Sequence, residues 1–304
     1  MIRMHRLVLR SIILGGCGSL MASHLGYLAA LEHHHLLRTV KYFTGISAGS
    51  IIAFLYTLGL PIDAIYKNIV SYNLLELIEQ KKPMETFLEE CGVLDLTIMI
   101  QRIRPLLLAH GFDADMTFAQ HYQLTKKTLC IVVTDANTMA PIYADHLQCP
   151  HLKVIDMILG SCCIPFAFGT RRHPITNQMM IDGIFSDAEP FAYLKTRYKL
   201  RSFEISAHIL NLSQYIPTNG PLTLFSNVLT SLLRTQTKDD QENAILVVRT
   251  PLHEFSAIDI RYKEEHHYSF YRRALLATVN ALDEASKRPF LYNHTIEQGF
   301  AHDW

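Results

Sequence analysis

One stretch of the sequence decides the fold class: Thr39-Val-Lys-Tyr-Phe-Thr-Gly45-Ile-Ser47-Ala-Gly49-Ser-Ile-Ile-Ala-Phe-Leu-Tyr-Thr-Leu-Gly59. A β-favouring run enters a Gly-x-Ser-x-Gly pentapeptide, and an apolar run without proline or charge follows it as a helix. Gly45 and Gly49 permit a tight strand-to-helix elbow that presents the hydroxyl of Ser47 for attack. The helix N-terminus directs N–H groups to the same point. The stretch predicts a serine nucleophile; a glycine-rich turn that only packs two elements is the alternative for this motif alone.

The residues before the elbow complete a βαβα unit. An apolar run over Leu7–Leu14 predicts a buried strand, a helix is predicted over residues 21–33, and Val40–Phe43 is the next predicted strand. Strands that alternate with helices are typical of a parallel α/β sheet. The glycine loop between the first strand and its helix can direct several N–H groups at an oxyanion. A phosphate-binding loop is the alternative, but its third glycine position is occupied by Met21.

The rest of the chain extends this pattern. Residues 62–110 have a helical pattern with Pro61 at the start, which predicts a helical layer or lid. A final amphipathic helix is predicted over residues 262–287, and we expect its apolar stripe of Leu275, Leu276, Val279 and Leu282 to pack in the core. The remaining predicted elements are strands at 128–134, 140–143, 178–181, 201–209 and 244–249, and a helix at 154–160. We expect a single domain over residues 1–304, with its core over about 7–280 and a C-terminal helix and tail over about 262–304.

A base for Ser47 is required, and two kinds of residue are candidates. Asp182, followed by Gly183, ends an apolar strand and begins a turn, so a short acid there can face the elbow. A strand-end aspartate can also serve only to form the turn. The order Ser, acid, His of α/β-hydrolases would instead need a late histidine, and His208 and His253 are available.

Composition narrows the class of protein. Of the 304 residues, 49% are hydrophobic and 18% are charged, and 28 basic residues balance 28 acidic ones. Without a net positive charge we expect neither nucleic-acid binding nor electrostatic recruitment to a membrane, so lipid contact would depend on apolar surface. The six cysteines lack C-x-x-C spacing and are expected to be reduced thiols of a cytoplasmic protein. Arg10 interrupts the N-terminal apolar run, so secretion is not expected.

Several motifs together resemble the patatin-like phospholipases. The glycine loop at Gly16-Cys17-Gly18, the Gly45-Ile-Ser47-Ala-Gly49 elbow and Asp182-Gly183 occur in that family's order and spacing. The similarity extends over about residues 7–280. Further stretches that look like the family are Met116-Thr-Phe118, Thr134-Asp-Ala-Asn137, Ser161-Cys-Cys-Ile-Pro165 and Asp182-Gly-Ile-Phe-Ser-Asp-Ala-Glu-Pro190.

The resemblance implies a three-layer α/β fold and a lipid acyl hydrolase with a Ser–Asp dyad. Carried over by position, Ser47 is the nucleophile, Asp182 accepts its proton, and the N–H groups of Gly16, Cys17 and Gly18 form the oxyanion hole. The resemblance implies no metal and no other cofactor. The expected partner is a phospholipid or another acyl lipid, with transient contact at a membrane surface; the sequence does not indicate the oligomeric state.

Besides Cys17, which replaces a glycine of the oxyanion loop, the sequence departs from the family at three positions. Leu20 and Met21 replace a basic residue and a glycine of the first loop, and Ile184 replaces a small residue after Gly183. These changes add bulk that we expect beside the site. A catalytically weakened or inactive relative that binds lipid or a protein therefore remains an alternative, as does a Ser–His–Asp esterase.

Overall fold

The computed structural model describes residues 7–70, 92, 95–211, 227, 244–252, 254–255, 257 and 262–287. Within these ranges, eight strands form one sheet. The strands are β1 (Ser11–Leu14), β2 (Tyr42–Ile46), β3 (Thr128–Asp135), β4 (Pro141–Ala144), β5 (Arg171–Arg172), β6 (Met179–Asp182), β7 (Ile205–Asn211) and β8 (Leu246–Pro251). Their order is β5-β6-β3-β2-β1-β7-β8, and β4 also pairs with β3.

The sheet is mainly parallel, as predicted, but one edge is antiparallel. The parallel part of the sheet consists of five adjacent strands in the order β3-β2-β1-β7-β8. β4 and β6 pair antiparallel with β3, and β5 pairs antiparallel with β6. The β3–β4 hairpin forms because the carboxylate of Asp135 accepts the Asn137 N–H at 2.9 Å and closes the turn.

The helices occupy most of the predicted positions. They are α1 (Ala22–His33), α2 (Ala48–Thr57), α3 (Ile62–Val70), α4 (Thr97–Ala109), α5 (Phe118–Thr125), α6 (Val154–Ser161), α7 (Phe191–Arg197) and α8 (Glu264–Lys287). Pro61 precedes α3, and Asp63 lies in its first turn as a helix N-terminus favours. Of the predicted helical layer over 62–110, α3 and α4 are described, and residues 71–91 lie outside the described ranges. In the described part of the chain we find no helix long and apolar enough to cross a lipid bilayer.

Some predicted strand limits were wrong, for reasons of pairing. β2 begins at Tyr42 rather than Val40 and continues through Gly45, which pairs with Leu14 of β1. β1 itself begins at Ser11 rather than Leu7. β7 begins at Ile205 because the Glu204 side chain accepts the N–H of Arg201 and forms a short 3₁₀ turn before it.

Helices cover both faces of the sheet. Ile12 and Leu14 of β1 pack in one hydrophobic cluster with α1, α2, α6 and α8, whereas Ile13 faces a second cluster with Phe191 and Leu194 of α7. The alternation of successive residues between two clusters is the period expected of a strand buried on both sides. The result is the three-layer arrangement expected from the sequence, with the carboxyl ends of β1 and β2 at the same edge.

Candidate active site

Ser47 lies on a strained elbow between β2 and α2. Its backbone has φ 53° and ψ −134°, a conformation that residues other than glycine seldom adopt. Gly45 and Gly49 make this turn possible, because a Cβ on Gly45 would overlap the backbone of Ser50, and one on Gly49 would overlap the carbonyl oxygens of Leu14 and Gly15. The Ser47 carbonyl accepts both the N–H and the hydroxyl of Ser50, at 2.9 and 2.6 Å. The elbow is therefore fixed by backbone contacts.

Strand β3 brings Asp182 close to Ser47. Ile46, the residue before Ser47, pairs with Val132 on one side of β3, and Asp182 pairs with Val133 on the other. Two strands that flank a third lie about 10 Å apart, a gap that two short side chains reaching toward each other can close. Although 135 positions separate Ser47 and Asp182 in the sequence, both lie at the ends of strands that pair with β3.

Asp182 is fully buried, and its surroundings favour the protonated form. Burial raises the pKa of Asp182 from 3.8 to about 7, while hydrogen bonds from Ser47 and from the Ile184 N–H lower it in part. Oδ1 accepts the Ile184 N–H at 3.0 Å. Oδ2 has no well-formed hydrogen bond to any described residue, so the Ser47 contact is long or poorly aligned in the free protein.

The glycine loop lies directly against the elbow. A Cβ built on Gly16 would lie 3.6 Å from the Cβ of Ser47. Ser19 donates its N–H to the carbonyl of Ala257 at 2.9 Å, but the N–H groups of Gly16, Cys17 and Gly18 have no acceptor among the described residues. Burial, with a smaller effect of Asp182, raises the pKa of the Cys17 thiol well above its usual value, so this thiol is neutral.

Leu20, Met21 and Ile184, the three bulky departures from the family pattern, lie in different surroundings. Leu20 and Met21 are buried in the larger hydrophobic cluster, so their bulk fills the core. Ile184 is only partly buried, and its Cδ1 would lie 2.8 Å from a Cβ on Gly16. Of the three departures, Ile184 therefore adds bulk beside Ser47. Gly183 needs its small size, because a Cβ there would overlap the carbonyl of Val132.

The alternative base His208 has other partners than the elbow hydroxyl. Its ring nitrogens contact Nδ1 of His24 at 2.6 Å and Oγ1 of Thr250 at 2.8 Å, so both are occupied. His253 lies outside the described residues. Within the described ranges, no group of three or more His, Cys, Asp or Glu side chains is arranged to hold a metal ion.

Sequence reasoning missed Ser161, which connects the two halves of the site. Its Oγ accepts the N–H of Ser47 at 2.8 Å and donates to the carbonyl of Val132 at 2.6 Å. The same carbonyl lies against Gly183, the neighbour of Asp182. Ser161 was part of a stretch that resembles the family, and that resemblance was the signal that could have assigned it a role.

Solved structures share this fold. VipD from Legionella pneumophila matches with a TM-score of 0.58 and 14% identity, covering 91% of this chain and 67% of VipD. The type III effector protein ExoU from Pseudomonas aeruginosa matches with a TM-score of 0.53 and 16% identity, covering 92% of this chain and 54% of ExoU. Human GIVD cytosolic phospholipase A2 matches with a TM-score of 0.50 and 13% identity, covering 92% of this chain and 60% of the phospholipase. At these identities the likeness shows a common fold.

Sequence comparison gives the family. A probable lipid hydrolase, 463L of Invertebrate iridescent virus 6, is 23% identical over 175 residues, which are 57% of this chain and 59% of the viral protein. The chain thus spans about three fifths of the length of this curated relative. The family model for patatin-like phospholipase matches residues 12–195, a range that runs from β1 into α7 and includes the glycine loop, Ser47 and Asp182. On this match over more than half of its length, the chain belongs to the patatin-like phospholipase family.

Proposed function

We propose that this protein is a lipid acyl hydrolase in which Ser47 and Asp182 form a catalytic dyad. The observation that carries the proposal is the pairing of a serine on a strained elbow with a fully buried carboxyl across β3. The pKa of about 7 for Asp182 places the proton acceptor near neutral pH, where a general base is most effective. An ordinary aspartate would be a much weaker base.

The reaction proceeds through an acyl-enzyme. Ser47 Oγ attacks the ester carbonyl carbon, and its proton passes to Asp182 Oδ2, the oxygen without a well-formed bond in the free protein. The N–H groups of Gly16, Cys17 and Gly18 stabilise the oxyanion. When the C–O bond to the alcohol breaks, Asp182 returns the proton to the leaving oxygen. Water then gives a proton to Asp182 and attacks the acyl carbon. The bond to Ser47 Oγ breaks, Asp182 returns the proton to Oγ, and the fatty acid is released.

The substrate class follows from the family and from the named relatives. The viral relative is named a probable lipid hydrolase, and a structure with the same fold is a phospholipase A2. We infer a phospholipid or another acyl lipid as substrate, with phospholipase A-type or less specific carboxylic ester hydrolysis in the cytoplasm. Phe166, which is 62% exposed, lies three residues after Cys163, whose carbonyl accepts the Asp182 N–H at 2.9 Å. An exposed aromatic ring this near to Asp182 along the chain suits transient contact with a lipid surface.

A catalytically weakened relative that binds lipid is the second candidate, and Ile184 is the observation that favours it. Its side chain covers Gly16 at the point where an ester carbonyl would bind. The Ser–His–Asp alternative has less support, because both ring nitrogens of His208 are already bonded to His24 and Thr250.

A fluorophosphonate probe and a lipid-hydrolysis panel test the proposal. We expect the wild type to be labelled and to release fatty acid from phospholipid vesicles and soluble esters. Ser47→Ala should abolish labelling and lower the rate by at least about 10³-fold while the protein remains folded. Ser23→Ala is the matched control, since Ser23 is a buried serine whose hydroxyl donates to the Leu20 carbonyl at 2.7 Å. Full activity of Ser47→Ala would refute the proposal, and vesicle binding without labelling of the wild type would favour the inactive alternative.

A further inference from the structure

A buried pair of histidines lies beneath the glycine loop, and the proposed reaction does not use it. His24 belongs to α1 and His208 to β7, both are fully buried, and their Nδ1 atoms are 2.6 Å apart. The chain of contacts continues at both ends. His24 Nε2 lies 2.9 Å from the carbonyl oxygen of Gly15, and His208 Nε2 lies 2.8 Å from Oγ1 of Thr250.

The direction of each hydrogen bond in this chain follows from its two ends. The carbonyl of Gly15 can only accept, so His24 Nε2 carries a hydrogen. Burial lowers the pKa of His24 to about 4 and lowers the pKa of His208 as well, so both rings are neutral at pH 7. A neutral ring carries one hydrogen, and His24 Nδ1 must therefore accept from His208 Nδ1. His208 Nε2 in turn accepts the hydroxyl hydrogen of Thr250.

The chain of hydrogen bonds ends on the peptide that joins Gly15 to Gly16. In a planar trans peptide the carbonyl of one residue and the N–H of the next point in opposite directions. The bond from His24 therefore fixes the direction of the Gly16 N–H. Gly15 is held on its other side too, because its N–H donates to the His208 carbonyl at 3.1 Å and its carbonyl lies against Gly49 of the elbow.

The two rings are themselves held in one orientation. The ring of Tyr27 stacks on His208 with centroids 5.0 Å apart, and the Tyr27 hydroxyl contacts Ser206 Oγ at 2.6 Å. A position that only had to fill the core would suit leucine, since burying an imidazole is costly unless its nitrogens are bonded. Here each nitrogen of both rings has a partner, and the last partner is the backbone of the glycine loop.

We propose that His24, oriented by His208 and Thr250, is a positioning residue that directs the Gly16 N–H toward the oxyanion formed at Ser47. The part of this inference that concerns catalysis rests on the proposed function. An N–H held in the correct direction needs no reorganisation when charge develops, which is the main source of oxyanion stabilisation in enzymes. The oxyanion exists only after attack, so loss of this orientation lowers kcat and leaves KM almost unchanged.

The sequence offers an unusually selective test, because Gly15-Gly16 is its one Gly-Gly pair. In protein labelled with [1-¹³C, ¹⁵N]glycine, an HNCO spectrum contains one cross-peak, which reports the Gly15 carbonyl and the Gly16 N–H together. This spectrum is recorded without substrate. Failure of the positioning proposal is thus distinguishable from failure of the proposed hydrolase activity.

Three variants are compared with the wild type. His24→Leu removes the donor to Gly15, and His24→Gln keeps an N–H donor near the position of Nε2. His121→Leu is the matched control. His121 is equally buried and contacts the hydroxyl of Thr57 at 2.8 Å, and among the described residues it has no hydrogen bond to the glycine loop. We expect His24→Leu to move the cross-peak and to lower kcat for a soluble ester by at least about tenfold with KM changed less than about twofold. His24→Gln should restore most of both, and His121→Leu should change neither.

Each outcome decides the proposal. An unmoved cross-peak in His24→Leu would overturn it, as would an equal loss of kcat in His24→Leu and His121→Leu. If the cross-peak moves in His24→Leu but the wild type has no esterase activity, the positioning of the peptide is supported and the hydrolase is overturned. If His24→Leu does not fold, Thr250→Val removes the hydroxyl at the far end of the chain without changing its shape, and we expect a smaller shift of the same cross-peak.

Discussion

Ser47 and Asp182 flank the same central strand, but the structure holds them in different ways. Backbone contacts fix the elbow: Gly45 and Gly49 leave no space for a Cβ, and Ser50 and Ser161 bond the carbonyl and the N–H of Ser47. The side chain of Asp182, in contrast, accepts one well-formed hydrogen bond, from the Ile184 N–H, and burial sets its pKa. Among the described residues, no cation contributes to the shift of its pKa.

This difference separates folding from chemistry. The elbow can be damaged only by moving backbone that belongs to β1, β2 and α2, so changes there should affect stability first. The carboxyl can be changed with little movement of the backbone, so changes there should affect the reaction and its pH dependence. Substitutions in the elbow and at the carboxyl should therefore have different effects.

Gly49→Ala should be the most damaging change to the fold. Its Cβ would overlap the carbonyl oxygens of Leu14 and Gly15, and neither can move without breaking the β1 edge of the site. We expect a loss of at least about 4 kcal/mol in the free energy of unfolding, measured by urea denaturation. Gly59→Ala is the control: Gly59 has φ +84° but nothing within 4 Å of its Cβ position, so it should lose only about 1 kcal/mol. Equal losses would contradict the backbone role of Gly49.

Asp182→Asn should abolish the reaction while the protein stays folded. The amide cannot accept the proton of Ser47, and we expect kcat/KM for a soluble ester to fall by about 10³-fold, or ~4 kcal/mol in activation free energy. The wild-type kcat/KM should rise with pH up to about 7, the pKa of the Asp182 carboxyl. Asp187→Asn is the control, because Asp187 is a nearby carboxylate that accepts the Tyr143 hydroxyl at 2.7 Å. An undiminished rate in Asp182→Asn would point to a different base.

The same carboxyl should make stability depend on pH. Its pKa is about 7 in the folded protein and 3.8 ordinarily, so between these values the folded state keeps a proton that the unfolded chain has lost. The free energy of unfolding therefore falls as the pH rises from about 4 to 7, by roughly 1.4 kcal/mol per pKa unit. Asp182→Asn lacks this effect. Both proteins are denatured at pH 4.5 and at pH 7.5. The stability of Asp182→Asn relative to the wild type should increase by a few kcal/mol between the lower and the higher pH. If this difference stays constant, Asp182 is an ordinary carboxyl.

Local patterns in the sequence predicted the elements that build the site. The elbow around Ser47, the glycine loop and the strand that ends at Asp182 were all recognised, because glycine spacing and apolar runs are local signals. The antiparallel pairing of β6 with β3 was not predicted, since pairing depends on contacts between distant segments. Ser161 and the His24–His208 pair were missed for the same reason: their partners lie 114 and 184 positions away.

The last helix shows how packing can override a local pattern. The sequence suggested that an apolar stripe including Leu276 faces the core, yet Leu276 is 52% exposed and the small residues Ala274 and Thr278 are buried instead. The close packing of α1 on α8 explains this exposure. A Cβ built on Gly26 of α1 would overlap the backbone of Tyr271 in α8. Two helices at that distance can accommodate only small side chains between them, and hydrophobicity alone does not reveal such a distance.

Ile184 is where the comparison can be refined with the smallest change. Its backbone N–H supports Asp182, whereas its side chain covers Gly16 beside Ser47, so Ile184→Ala separates the two roles. We expect kcat/KM for esters with bulky acyl chains to rise by several-fold, about 1 kcal/mol, while esters of short acids change little. Ile175→Ala is the control, since Ile175 is 70% exposed on the turn before β6. If neither class of ester responds, Ile184 does not limit the space at the nucleophile, and the argument for a weakened enzyme loses its structural basis.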